Sequence, residues 1–98
     1  MMSVPKFLQP YLASYDLSQL DVKKDKKLII RDVLNKGNHK ALTWLGKTYS
    51  RRELKEVIAS PTRGMWMRSV LSYWLQIFDI RLSKKTFDEA IVNLNPRE

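Results

Sequence analysis

His39 is the only histidine in the 98 residues, and cysteine is absent. These two facts bound the reactive chemistry. No thiolate nucleophile, disulfide or zinc knuckle can be built. Any Ser-His-acid triad has to use His39, yet no G-x-S-x-G turn or comparable nucleophile motif accompanies it. A solvated histidine in a first helical turn accounts for it. The carboxylates Asp16, Asp21, Asp25 and Asp32 are scattered, and the first two suit turn or cap roles. No pair shares the apolar setting that splits two carboxyl pKa values for acid–base work. Metal-ligand spacings are missing, and Gly37, Gly46 and Gly64 lie too far apart for a phosphate loop. The sequence therefore predicts a protein that is not an enzyme, with no catalytic residue, metal or cofactor.

Cations are the abundant functional groups. The formal net charge is +8 and the pI is near 9.9, a surface that attracts polyanions and acidic proteins. "KKDKK" at 23–27 spreads four lysines over about half a helix circumference. "SRRELK" places Arg51, Arg52 and Lys55 at the start of a short helix after a tight turn. That placement resembles the second helix of a helix-turn-helix, whose N-terminal residues reach base edges. Arg51, Arg52 and Lys55 are thus the candidate nucleic-acid contacts. A basic solvated face on a capped helix is the alternative reading of the same residues.

The third constellation is apolar. "MWMRSVLSYWLQIF" at 65–78 confines its polar residues to one stripe, Arg68, Ser69, Ser72 and Gln76. It is shorter than the roughly 20 apolar residues that span a bilayer, and it contains Arg68. A membrane role is not expected. With no signal-peptide pattern in Met1–Pro10, a cytoplasmic location is. Tryptophan, tyrosine, methionine and arginine are enriched at interface centres. Trp66, Arg68 and Tyr73 are therefore the candidate partner contacts, and a core helix with aromatic edges is the competing reading.

The elements that must position these groups are helical. Apolar residues recur at helical spacing with no sustained alternation. A first segment near Pro5–Tyr15 is interrupted by Pro10. A helix capped by Asp21 carries Val22, Ile29, Ile30, Val33 and Leu34 inward, sets Lys23, Lys24, Lys27 and Arg31 outward, and ends at a left-handed Gly37. A third runs from Asn38 to Tyr49, with Gly46 as a close packing point or an early end. Ser50 and Glu53 form a capping box for a fourth, which Pro61 ends. Residues 65–78 form the central helix, with Trp66 and Trp74 both on it. A last helix is capped by Ser83 or Thr86 and points Phe87, Ala90, Ile91 and Leu94 inward. The expectation is an all-α, compact single-domain bundle of about five helices over residues 1–98.

The run from Tyr15 to Ile58 also resembles a known group. Its elements here are Tyr15 with Asp16, Leu20 with Asp21, then Val33, Leu34 and Gly37. Trp44, Leu45 and Tyr49 follow, with Ser50, Glu53 and Leu54, and finally Tyr73 with Trp74. The likeness covers about residues 8–80. It is to small helical bacterial proteins encoded beside AbiE-type nucleotidyltransferase toxins. The shared positions are mostly core and caps, so the resemblance carries over no site residue. It implies an antitoxin-like protein that restrains a nucleotidyltransferase-type toxin by direct contact, its basic and aromatic surface covering an acidic cleft. The alternative is a DNA-binding regulator that uses the helix at 51–59.

Overall fold

Pro10 decides how the chain begins. It supplies no N–H and its ring crowds the preceding turn, so an α-helix cannot run through it. The computed structural model, which describes residues 3–92, winds Lys6–Leu12 as a 3-10 helix. Leu8 and Leu12 are buried on its inner side. A second 3-10 turn, Leu17–Gln19, is closed by Asp16, whose Oδ1 accepts from the Ser18 N–H at 3.0 Å.

Among the described residues five α-helices follow: α1 (Lys26–Lys36), α2 (His39–Thr48), α3 (Arg51–Ala59), α4 (Arg68–Ile77) and α5 (Lys84–Ala90). The all-α, compact arrangement of about five helices is thus what the chain forms. Among the described residues no helix is long and apolar enough to cross a membrane.

Caps explain most of the boundaries. Asn38 Oδ1 accepts from Ala41 N–H at 3.0 Å to open α2. Ser50 and Glu53 complete the capping box of α3, at 3.1 and 2.9 Å. Ser83, rather than Thr86, caps α5. Asp21 behaves differently from the expected cap. Its Oδ2 accepts from the N–H groups of Lys23 and Lys24, while its own N–H donates to Asp25 Oδ2. This reciprocal pairing closes a separate turn, and α1 starts only at Lys26.

Gly37 is extended, with φ -68° and ψ 149°, not left-handed. Its requirement is space: a Cβ there would lie 2.6 Å from the Val33 carbonyl oxygen and 3.1 Å from Ala41 Cβ. Gly46 is neither a packing point nor an end. It sits inside α2 with nothing within 4 Å of an added Cβ.

The most enclosed helix is α1. It packs against the first 3-10 segment, α2, α3 and α4, and buries Ile29, Ile30, Val33 and Leu34. Arg31, expected on the outer face, is buried as well. The N-terminal segment covers that side of α1 and supplies the Tyr15 hydroxyl, to which Arg31 Nη2 donates at 3.0 Å. Arg31 Nε donates to Asp32 Oδ1 at 2.8 Å. Burial opposes the charge on Arg31, but Asp32 and Tyr15 outweigh it and the guanidinium holds its proton more firmly.

Residues 65–78 differ from expectation in two respects. Helix α4 begins at Arg68, and Met65–Met67 are extended. The enclosed centre passes to α1, since of α4 only Leu71 is fully buried. Leu94, assigned inward at the end of the last helix, lies outside the described residues.

Candidate binding surface

Trp66 is held by backbone on one side and a side chain on the other. It forms a parallel bridge with Ile91. Trp66 N–H donates to Ala90 O at 2.9 Å, and Val92 N–H donates to Trp66 O at 2.8 Å. Across the segment, Asn35 Nδ2 donates to Met65 O at 2.7 Å and Met67 N–H donates to Asn35 Oδ1 at 3.1 Å. Side chains alternate along extended backbone, so Trp66 points in and its neighbours point out. Its accessibility is 0%, against 41% for Met65 and 45% for Met67. This corrects the expected role of Trp66: it is core, and no partner reaches it. Nor is it on a helix with Trp74.

Arg68 and Tyr73 do lie at the surface. The Arg68 guanidinium sits 5.4 Å from the Phe87 ring centroid and 4.0 Å from Asp88 Oδ1. Asp88 is held below the usual carboxylate range chiefly by its hydrogen bond from Lys84, with Lys84 and Arg68 adding charge. Tyr73 is 54% exposed, its ring edge-on to Trp74 at 4.9 Å. Trp74 is anchored, its Nε1 donating to Leu34 O at 3.1 Å. One helical turn beyond Tyr73 lies Ile77, at 48%. The spacing i, i+4 puts both on one stripe. Sequence reasoning passed over Ile77, because an isoleucine among apolar residues reads as core.

The basic candidates lie on α3. Arg51, Arg52 and Lys55 are all exposed, while Val57 and Ile58 are buried on the inner side. Arg51 is partly committed: its guanidinium lies 4.6 Å over the Phe78 ring. Arg52 and Lys55 form no ion pair among the described residues. Glu53, beside them, is held below the usual carboxylate range first by the Ser50 N–H and then by Lys26, whose Nζ is 3.3 Å away.

His39 is exposed in the first turn of α2, and among the described residues no carboxylate or hydroxyl hydrogen-bonds to it. No group of three or more His, Asp or Glu residues is placed to hold a metal among the described residues. Tyr49 is a buried hydroxyl with a structural bond, donating to Val22 O at 2.6 Å. Burial pushes its pKa up, and Glu53, Asp21 and Asp25 add to the rise.

Fold and surface define a small all-helical protein with a basic helix, α3, and a helix with an uncovered aromatic–aliphatic stripe, α4. Residues 9–58 match the family of unknown function DUF6922, and the chain belongs to that family. The matched span runs from the first 3-10 segment through most of α3; it includes Arg51, Arg52 and Lys55 and leaves out α4. No curated protein and no solved structure matches the chain.

Proposed function

We propose that this protein is a non-catalytic, antitoxin-like binding protein that neutralises a nucleotidyltransferase-type toxin by covering its active-site cleft. The observation that carries the reading is the outer face of α4. Tyr73 and Ile77 lie a turn apart and are about half exposed, on the helix that also presents Arg68. A half-exposed tyrosine beside an isoleucine on one stripe of a rigid element is an apolar patch of the kind an interface buries; Arg68 lies on the other side of the helix, against Phe87 and Asp88. The occupant follows from charge. A nucleotidyltransferase cleft gathers carboxylates for its metal ions, and a chain of net charge +8 complements it. The resemblance in caps and core to proteins encoded beside such toxins supports the same partner.

The test is co-expression with the neighbouring nucleotidyltransferase-type protein, followed by affinity capture in low and in high salt. A complex that survives high salt and is lost in Tyr73→Ala/Ile77→Ser supports the reading. No complex in either salt overturns it.

A second reading has its own observation. Arg52 and Lys55 are exposed, free of ion pairs among the described residues, on a helix that follows α2 after the two-residue connector Tyr49–Ser50. That arrangement suits contact with duplex DNA. Arg52→Glu/Lys55→Glu should then weaken duplex binding and flatten its salt dependence. Unchanged affinity and slope dispose of it.

A further inference from the structure

The outer side of α1 contains a cleft that neither reading uses. It lies between the first turns of α1 and the loop carrying Thr62, with a volume of about 330 Å³, and is lined by Lys24, Asp25, Lys27, Leu28, Arg31 and Thr62. Arg31 distinguishes this cleft from a merely basic surface. Its side chain is only 7% exposed, and its orientation is fixed from two sides, by Asp32 on Nε and by the Tyr15 hydroxyl on Nη2. Nη1 has no hydrogen-bond partner among the described residues. It is not sealed either, because the only sealed and unbonded side-chain nitrogen or oxygen among the described residues is Trp66 Nε1. Arg31 lines the cleft with a side chain that keeps a small accessible part.

Two of the flanking groups are cationic. Lys24 and Lys27 are exposed and form no ion pair among the described residues. Asp25, the one carboxylate in the wall, already accepts from the Asp21 N–H at 2.9 Å. Thr62 adds a hydroxyl from the facing loop. A pre-oriented guanidinium, two mobile ammonium groups and a hydroxyl form a donor set for a tetrahedral oxyanion.

We infer that this cleft binds the terminal phosphate of a phosphomonoester, with Arg31 at its base, Lys24 and Lys27 at its rim and Thr62 opposite. A monoester phosphate presents three free oxygens to donors arriving from several directions. A backbone diester presents two, and it needs a groove open at both ends. The inference does not depend on the proposed partner.

The experiment is an amide and arginine-Nε NMR titration of the full chain, at constant ionic strength set with sodium chloride. The probes are inorganic phosphate, adenosine monophosphate and a short single-stranded oligonucleotide. Inorganic phosphate and the monophosphate should give saturable shifts at Lys27, Leu28, Thr62 and Arg31 Nε. Lys24→Gln/Lys27→Gln should weaken binding about tenfold or more, with the rest of the spectrum unchanged. Arg31 is part of the core pairing and is left intact. Thr62→Val should weaken binding less than the double lysine variant. Shifts no larger than those from chloride overturn the inference, as do shifts that persist in the double variant. Tighter binding of the oligonucleotide than of the monophosphate, at equal phosphate concentration, overturns it in favour of a nucleic-acid backbone.

Discussion

The carboxamide of Asn35 pairs with the backbone on both sides of Trp66 as a neighbouring strand would, donating to Met65 O at 2.7 Å and accepting from Met67 N–H at 3.1 Å. Among the described residues the segment has a true backbone partner only at 90–92. One side chain on α1 replaces the second. It thereby couples the most enclosed helix to the entry of α4 and fixes which way Trp66 points. Only a group with a donor and an acceptor at amide geometry satisfies both contacts. Asn35→Asp removes the donor, and Asn35→Leu removes both groups. Asn35→Asp leaves the part-buried Met65 carbonyl without its donor, and Asn35→Leu leaves both that carbonyl and the Met67 N–H without a partner, at a cost of about 1–3 kcal/mol. Urea unfolding followed by tryptophan fluorescence measures this. Asn35→Leu should be the less stable of the two, and equal stability to the parent would show that the clamp contributes nothing.

Two glycines should respond to alanine in opposite directions. At Gly46 the helix is regular and open, so Gly46→Ala gains the propensity difference of about 1 kcal/mol. At Gly37 the new methyl would lie 2.6 Å from the Val33 carbonyl oxygen, which is backbone and cannot swing aside. Gly37→Ala should lose about 1–3 kcal/mol through forced displacement of α2 from α1. Thermal unfolding of the pair is sufficient. A loss at Gly46, or a gain at Gly37, would contradict the packing described above.

The contrast between these glycines shows what was legible in the sequence. Elements whose signals are local came through: the Ser50–Glu53 capping box, Asn38 at the start of α2, the helical period of α2 and α3. Pro10 marked the irregular start correctly. Effects that arise only when distant parts of the chain meet did not come through. Arg31 is buried because residues near Tyr15 fold over α1, a contact between positions 16 apart in sequence. Trp66 left its expected helix because Ala90 and Val92 claim its backbone and Asn35 claims that of Met65 and Met67, and no periodicity within 65–78 carries that information. Of the candidate contacts, Arg52, Lys55, Arg68 and Tyr73 lie at the surface as expected. Arg51 is shared with Phe78, and Trp66 is lost to the core.

Trp66 and Tyr73 therefore separate stability from binding. Trp66 is the largest fully buried side chain, and Trp66→Ala should cost about 3–5 kcal/mol. Tyr73→Ala removes a half-exposed ring whose main contact is the edge of Trp74, and should change stability by roughly 1 kcal/mol or less. Capture of the proposed nucleotidyltransferase-type partner should follow the reverse order for the folded protein. Tyr73→Ala weakens it, whereas Trp66→Phe, which refills most of the cavity, leaves it intact. Loss of capture in Trp66→Phe with unimpaired folding would place the interface elsewhere.

Glu53 ties the α3 cap to pH. Its carboxylate is held below its ordinary value of 4.5, first by the Ser50 N–H and then by Lys26. A carboxyl with a depressed folded-state pKa binds its proton more readily in the unfolded chain. Its contribution is present in full above 4.5, the unfolded value, and is lost as pH falls through the lower folded value. Asp16 and Asp88 are depressed in the same direction, by Ser18 and Lys84 respectively, from an ordinary value of 3.8, so their shares are lost further down and the protein should weaken progressively on acidification. Glu53→Gln isolates one share of that effect. Glutamine still accepts from the Ser50 N–H and preserves the cap, but it carries no charge for Lys26 and does not titrate. Urea midpoints measured from about pH 7 down to about pH 3 should fall less steeply in Glu53→Gln than in the parent, the two curves converging at the acid end. Parallel curves would mean that Glu53 titrates alike in the folded and unfolded chains, and that the Lys26 contact at 3.3 Å does not hold its charge in solution.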